Sequence, residues 1–153
     1  MKHILLVIAA FMCVFTALGQ RLVSGEKAPK LAVLKYIYGS VPDKGRPVLI
    51  EFFVASGNQS DNQIKEVSAF ADKYRGKIDV VLISGDNETV TRSFFSGPAP
   101  RFSVAIDASG KTFADYNVSY VPFSVLVDGK GSYVWQGRLK SIPANVLNAV
   151  SGQ

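Results

Sequence analysis

The sequence predicts an α/β domain: a mixed central β-sheet flanked by helices on both faces, a three-layer sandwich. Three observations carry this. Apolar runs of strand length alternate with segments of helical periodicity through most of the chain, and such alternation calls for parallel neighbours. Near the end, Asp128-Gly129-Lys130-Gly131 separates Phe123–Val127 from Tyr133–Gln136, a hairpin signal that adds antiparallel pairs. Beyond the hairpin, Pro143 stands at a favourable first helical position for a closing helix over Ala144–Val150.

The elements follow in order. Arg21–Lys30 is polar and reads as loose chain. Leu31–Leu34 with Tyr36–Tyr38 reads as a short edge strand, and Gly39–Arg46 as a turn-rich loop. Pro47–Ala55 is apolar apart from Glu51, as a strand buried on both faces would be. Ser60 and Gln63 have the spacing of a capping box. Ile64, Val67, Ala71 and Tyr74 follow at helical spacing, with Phe70 one turn before Tyr74, and Gly76 ends the helix. Ile78–Ser84 is a second buried strand, and Asn87 to about Ser96 a helix stopped by Gly97-Pro98. Phe102–Ile106 is a third strand, and Lys111–Tyr116 one or two helical turns. Phe52, Phe53, Phe70, Phe102, Phe123 and Trp135 are expected in the core.

The chain has 153 residues, with 17 Lys and Arg against 12 Asp and Glu. Its basic residues are scattered and form no stripe, which argues against nucleic acid as a partner. Residues 1–19 combine a basic start with the apolar stretch Ile4–Leu18 and small residues at Ala17 and Gly19. This is the pattern of a signal peptide cut before Gln20, and the stretch falls short of the roughly 20 residues that span a bilayer. The expected organisation is thus a signal peptide over 1–19 and one domain over 20–153. The product would be periplasmic or secreted, without stable membrane insertion after cleavage.

Cys13 is the only cysteine and His3 the only histidine, and both fall within the leader. A processed chain would therefore hold no Cys-Xaa-Xaa-Cys pair, no Ser-His-Asp triad and no zinc site of Cys and His. No cofactor and no metal site are expected.

Gly25-Glu26-Lys27-Ala28-Pro29, Lys44–Phe53, Ile106–Lys111, and Tyr116-Asn117-Val118-Ser119-Tyr120-Val121-Pro122 follow one another in this order. Together these motifs resemble the thioredoxin superfamily, most of all the TlpA-type, redoxin-like branch of exported bacterial thiol-disulfide proteins. The resemblance covers about Gly25 to the C-terminus and implies a thioredoxin-like fold. It departs where the family keeps its chemistry. Members follow Phe-Trp-Ala-(Thr/Ser) with Trp-Cys-Xaa-Xaa-Cys, whereas here Phe52–Ala55 is followed by Ser56-Gly57-Asn58-Gln59-Ser60. Gly57 takes the place of the attacking cysteine and Ser60 that of the resolving one.

The resemblance also assigns Glu51 to the family's buried acid and Val121-Pro122 to its cis-proline site. Glu51 is then either an inherited acid satisfied by a lysine or water, or a raised-pKa acid at the former active-site wall. Ser60 is a helix cap or, as the alternative, a hydroxyl nucleophile without a histidine base. Asp86-Asn87-Glu88 reads as a strand-end ligand site or, better, as a helix cap at Asn87. Asn58, Asn87 and Asn117 open glycosylation sequons that matter only in a eukaryotic secretory pathway. The leading expectation is a non-catalytic accessory module binding an extended peptide or protein through Ser56, Gly57, Asn58, Gln59, Val121, Pro122 and Phe123. The alternatives are an enzyme of another class using Glu51 and Ser60, and a structural subunit of an envelope complex.

Overall fold

The computed structural model describes residues 23–31 and 35–152. The expected signal peptide at residues 1–19, with Cys13, lies outside this range, as do residues 32–34, on which most of the expected Leu31–Leu34 strand falls. Six strands form one sheet: β1 (Lys35–Tyr38), β2 (Val48–Phe53), β3 (Asp79–Ser84), β4 (Ser103–Ile106), β5 (Phe123–Val127) and β6 (Tyr133–Gly137). Their order across the sheet is β1-β4-β3-β2-β5-β6. β2, β3 and β4 are parallel, while β1, β5 and β6 each pair antiparallel with a neighbour. The helices are α1 (Ser60–Lys73), α2 (Glu88–Phe94), α3 (Lys111–Asp115) and α4 (Ala144–Ser151).

Alternation along β2 builds a core on each face of the sheet. Leu49 and Phe53 point to one side, where Val67, Phe70 and Ala71 of α1 cover them together with Leu147 of α4. Ile50 and Phe52 point to the other side, against Tyr116, Phe123 and Phe113 of α3. Strands so placed are buried on both faces, which is why β2, β3 and β5 read as nearly continuous apolar runs.

Four expectations change. The stretch before β1 is not loose throughout. Gly25 N–H donates to the Tyr133 carbonyl at 2.7 Å, Tyr133 N–H to the Glu26 carbonyl at 2.7 Å, and the Tyr116 hydroxyl to the Pro29 carbonyl at 2.6 Å. These bonds tie the segment to β6, and Ala28 and Leu31 close the second core. The capping box does not form: Gln59 is the N-cap of α1, and no side chain caps the helix. Gln63 is 4% exposed and turns inward instead. Pro143 is the N-cap of α4 rather than its first residue, preceded by a short 3-10 turn over Leu139–Ser141. Trp135, on the edge strand, is only partly buried against the first core. Among the described residues no helix is long and apolar enough to cross a membrane.

Phe52 is fully buried, with ring centroids 5.0 Å from Phe113, 5.5 Å from Tyr116 and 6.0 Å from Phe123. Phe52→Ala removes the centre of this aromatic cluster and leaves a cavity. It should cost about 3–5 kcal/mol in chemical denaturation; a loss below about 1 kcal/mol would show that the cluster does not hold this face.

Candidate functional site

The site grows out of the end of β2. Phe52 pairs with Phe123 across the β2–β5 register, so the chain leaving β2 at Val54 lies beside the chain entering β5 at Pro122. The Val121–Pro122 peptide is cis. A cleft of about 210 Å³ opens between these segments, lined by Gly57, Asn58, Gln59, Ser60, Val121 and Pro122. An adjoining cavity of about 280 Å³ shares Gln59 and Pro122 with it, as well as Gln63, which also borders the first cleft, and adds Glu51, Arg138 and Lys140.

Hydrogen bonds fix the loop after β2. Gly57 N–H donates to the Val54 carbonyl at 3.1 Å, and Ser60 N–H to the Gly57 carbonyl at 3.2 Å. The Ser60 side chain is 6% exposed, and its hydroxyl sits 2.9 Å from the Val54 carbonyl and 2.6 Å from the Gly57 carbonyl. Both partners are acceptors, so the hydroxyl donates its proton inward and closes the turn. A Cβ added at Gly57 would stand 3.1 Å from Ser60 Oγ. Positions 57 and 60 therefore face each other at close range, although neither holds sulfur.

Glu51 is 1% exposed at the centre of the sheet. It shares the α1 side of β2 with Leu49 and Phe53, opposite Ser124 in register. Gln63 of α1 donates its amide to Glu51 Oε1 at 2.6 Å and to the Phe52 carbonyl at 2.8 Å. The Ser124 hydroxyl bonds to Oε2. The acid is thus satisfied by polar neighbours, an amide and a hydroxyl, and no lysine pairs with it among the described residues. Burial pushes its pKa from 4.5 up to about 7; the Ser124 and Gln63 bonds pull it down, and the nearby Glu66 charge adds to the rise.

The other named residues separate. Ser56 is exposed and lines neither cavity. Phe123 is 6% exposed and packs under the cleft against Phe52 and Tyr120, so its side chain belongs to the core rather than to a binding surface. Val121 and Pro122 are half-buried, and the Val121 N–H and carbonyl make no hydrogen bond among the described residues. Asn87 caps α2, accepting from the Val90 N–H at 2.9 Å. Asp86 accepts from the Ala55 N–H at 2.6 Å, and Glu88 pairs with Lys35 and Arg92. Each of the three thus has a structural contact at this strand end. Among the described residues no group of three or more His, Cys, Asp or Glu is placed to hold a metal ion.

Sequence reasoning missed Gln63 as the partner of Glu51, and Arg138 and Lys140 as cleft residues. Gln63 falls on the Val67 face of α1, a weak signal that an amide there turns inward. Nothing local marks 138–140, because the 3-10 turn brings them over the cleft.

The folded chain keeps the Glu51 proton to a higher pH than the unfolded chain does. Stability is therefore greatest below about pH 4.5 with respect to this group, and falls as pH rises through about 7. Glu51→Gln keeps the shape without the ionisation. It should match wild type at about pH 4 and exceed it by about 3 kcal/mol at pH 8 in urea titrations. Parallel curves for the two proteins over this range would sink the assignment.

No family model matches the chain. Among curated proteins it is similar to the sporulation thiol-disulfide oxidoreductase A of Bacillus subtilis (strain 168), 22% identical over 111 residues that make up 67% of each chain. Among solved structures it is similar to a putative thiol:disulfide interchange protein DsbE from Chlorobium tepidum. That match has a TM-score of 0.71 at 22% identity and covers 86% of this chain and 99% of the other. A secreted Mycobacterium tuberculosis disulfide oxidoreductase superposes with a TM-score of 0.55 at 20% identity, over 71% of this chain and 82% of its own. The chain has a thioredoxin-like fold, shared with the DsbE structure, and its sequence is similar to that of the sporulation thiol-disulfide oxidoreductase.

Proposed function

We propose that this chain is an exported, redox-inactive thioredoxin-fold protein that binds an extended peptide or protein segment. The segment would lie in the cleft between the 57–60 loop and Val121–Pro122. One observation carries the reading: the cleft is open and presents the unpaired backbone groups of Val121, while the two facing positions hold Gly57 and Ser60. An extended peptide can add to such backbone groups by strand-like pairing, which needs no thiol. Thiol–disulfide exchange needs a thiolate, and the only cysteine lies in the leader. Export is supported by that leader and by the secreted Mycobacterium tuberculosis neighbour.

The competing reading, an enzyme of another class using Glu51 and Ser60, fits the hydrogen bonds poorly. The Ser60 hydroxyl points its proton at two carbonyls, and Glu51 is held by Gln63 and Ser124. Neither bonds to the other, so no base is in place to activate the hydroxyl.

Two experiments test the proposal. In an insulin-reduction assay the protein processed at Gln20 should stay at background. The double variant Gly57→Cys/Ser60→Cys, whose side chains would face each other, should form an internal disulfide and gain turnover. Turnover by the unmutated protein would overturn the redox-inactive reading. Separately, peptides selected by phage display on the processed protein should shift the amide resonances of residues 57–60 and 120–122. Asn58→Trp places an indole in the cleft from an exposed position and should change stability by no more than about 0.5 kcal/mol, yet it should abolish binding. Resonance shifts confined to another surface would overturn the assigned face.

A further inference from the structure

Resting on the peptide-binding reading, we infer that the cleft selects a segment carrying an acidic side chain, and that Arg138 is the residue that reads it. The cavity beside Pro122 is rich in hydrogen-bond donors: Arg138, Lys140 and the amides of Gln59 and Asn62 line it. Lys140 is paired with Glu66 at 2.7 Å. Arg138 has no carboxylate among the described residues, and its one side-chain partner is the neutral Gln59 Oε1 at 3.5 Å, the long limit of a hydrogen bond. A guanidinium offers five donors in a planar fork that fits a carboxylate with two parallel bonds. Here most of that fork is unused and overhangs a cavity.

The floor of the cavity permits an anion. Glu51 lines it, but its carboxyl is already bonded to Gln63 and Ser124 and keeps its proton up to about pH 7. Glu66 is the other carboxylate on this wall, and Lys140 offsets it. Pro122 lines both cavities. A strand paired to the Val121 backbone would therefore pass over Pro122, with its next side chains directed toward Arg138. The complement of this wall is an Asp or Glu in the extended segment; a Lys there would meet Arg138 and Lys140 with like charge.

The probes are soluble, end-blocked nonapeptides rich in valine and threonine, carrying Asp, Asn or Lys at one position in turn. Binding to the processed protein is followed by amide resonance shifts at about pH 6 and low salt, where charge effects are least screened. At the preferred position the Asp peptide should bind about five- to tenfold more tightly than the Asn peptide, the scale of a partly exposed charge pair, with the Lys peptide weakest. Arg138→Gln should erase the Asp preference, and Arg138→Glu should reverse the order in favour of Lys. Arg138 is exposed, and an unchanged circular dichroism melt checks that both variants fold. Equal binding of all three peptides at residues 57–60 and 121–122, or an acidic preference that survives Arg138→Glu, overturns this inference and leaves peptide binding standing. Absence of any shift at those residues with every peptide overturns both.

Discussion

A carboxyl group can sit at the centre of a β-sheet only if hydrogen-bond donors are brought to it. Glu51 meets that constraint with one donor from the sheet, the Ser124 hydroxyl, and one from the helix above, the Gln63 amide. The pair joins β2, β5 and α1 at one point. Gln63 also bonds to the Phe52 carbonyl, so the rotation of α1 about its axis is fixed by polar contacts as well as by Val67, Phe70 and Ala71. The same bonds explain why the capping box fails. Glutamine cannot reach back to the helix start and down to the buried acid at once, and leaving the acid with one donor fewer is the costlier choice.

The cleft inherits its position from this frame. β2 and β5 pair antiparallel, so the exit of one and the start of the other lie at the same edge of the sheet. The 57–60 turn is then closed by Ser60, which occupies a place where relatives by resemblance carry a sulfur. Its hydroxyl serves the turn through the Val54 and Gly57 carbonyls. What remains at the surface is a shallow groove with open backbone on one wall and cations on the other.

Much of the fold was legible in the residues because its signals are local. The strand runs from Pro47 onward, the hairpin at 128–131 and the cap at Asn87 each follow from neighbours in sequence, and the structure places them within a residue or two. Glu51 stood out as the single charge in an apolar strand, and Ser60 as the hydroxyl after it. The absence of sulfur from positions 57 and 60 is likewise a fact of sequence alone, and it bounds the chemistry before any geometry is known.

Contacts between distant residues settled the rest. Gln63 faces Glu51 because α1 packs over the Leu49 and Phe53 side of β2. The segment at 25–29 is ordered because β6 and Tyr116 supply its backbone partners from more than eighty residues away. Phe123, expected both in the core and on the binding face, lies in the core against Phe52. Arg138 and Lys140 joined the cleft through a 3-10 turn that no pattern announces. A sequence records which groups are available and what each prefers locally. Which of them meet, and which is left without a partner, is decided by packing across the whole sheet.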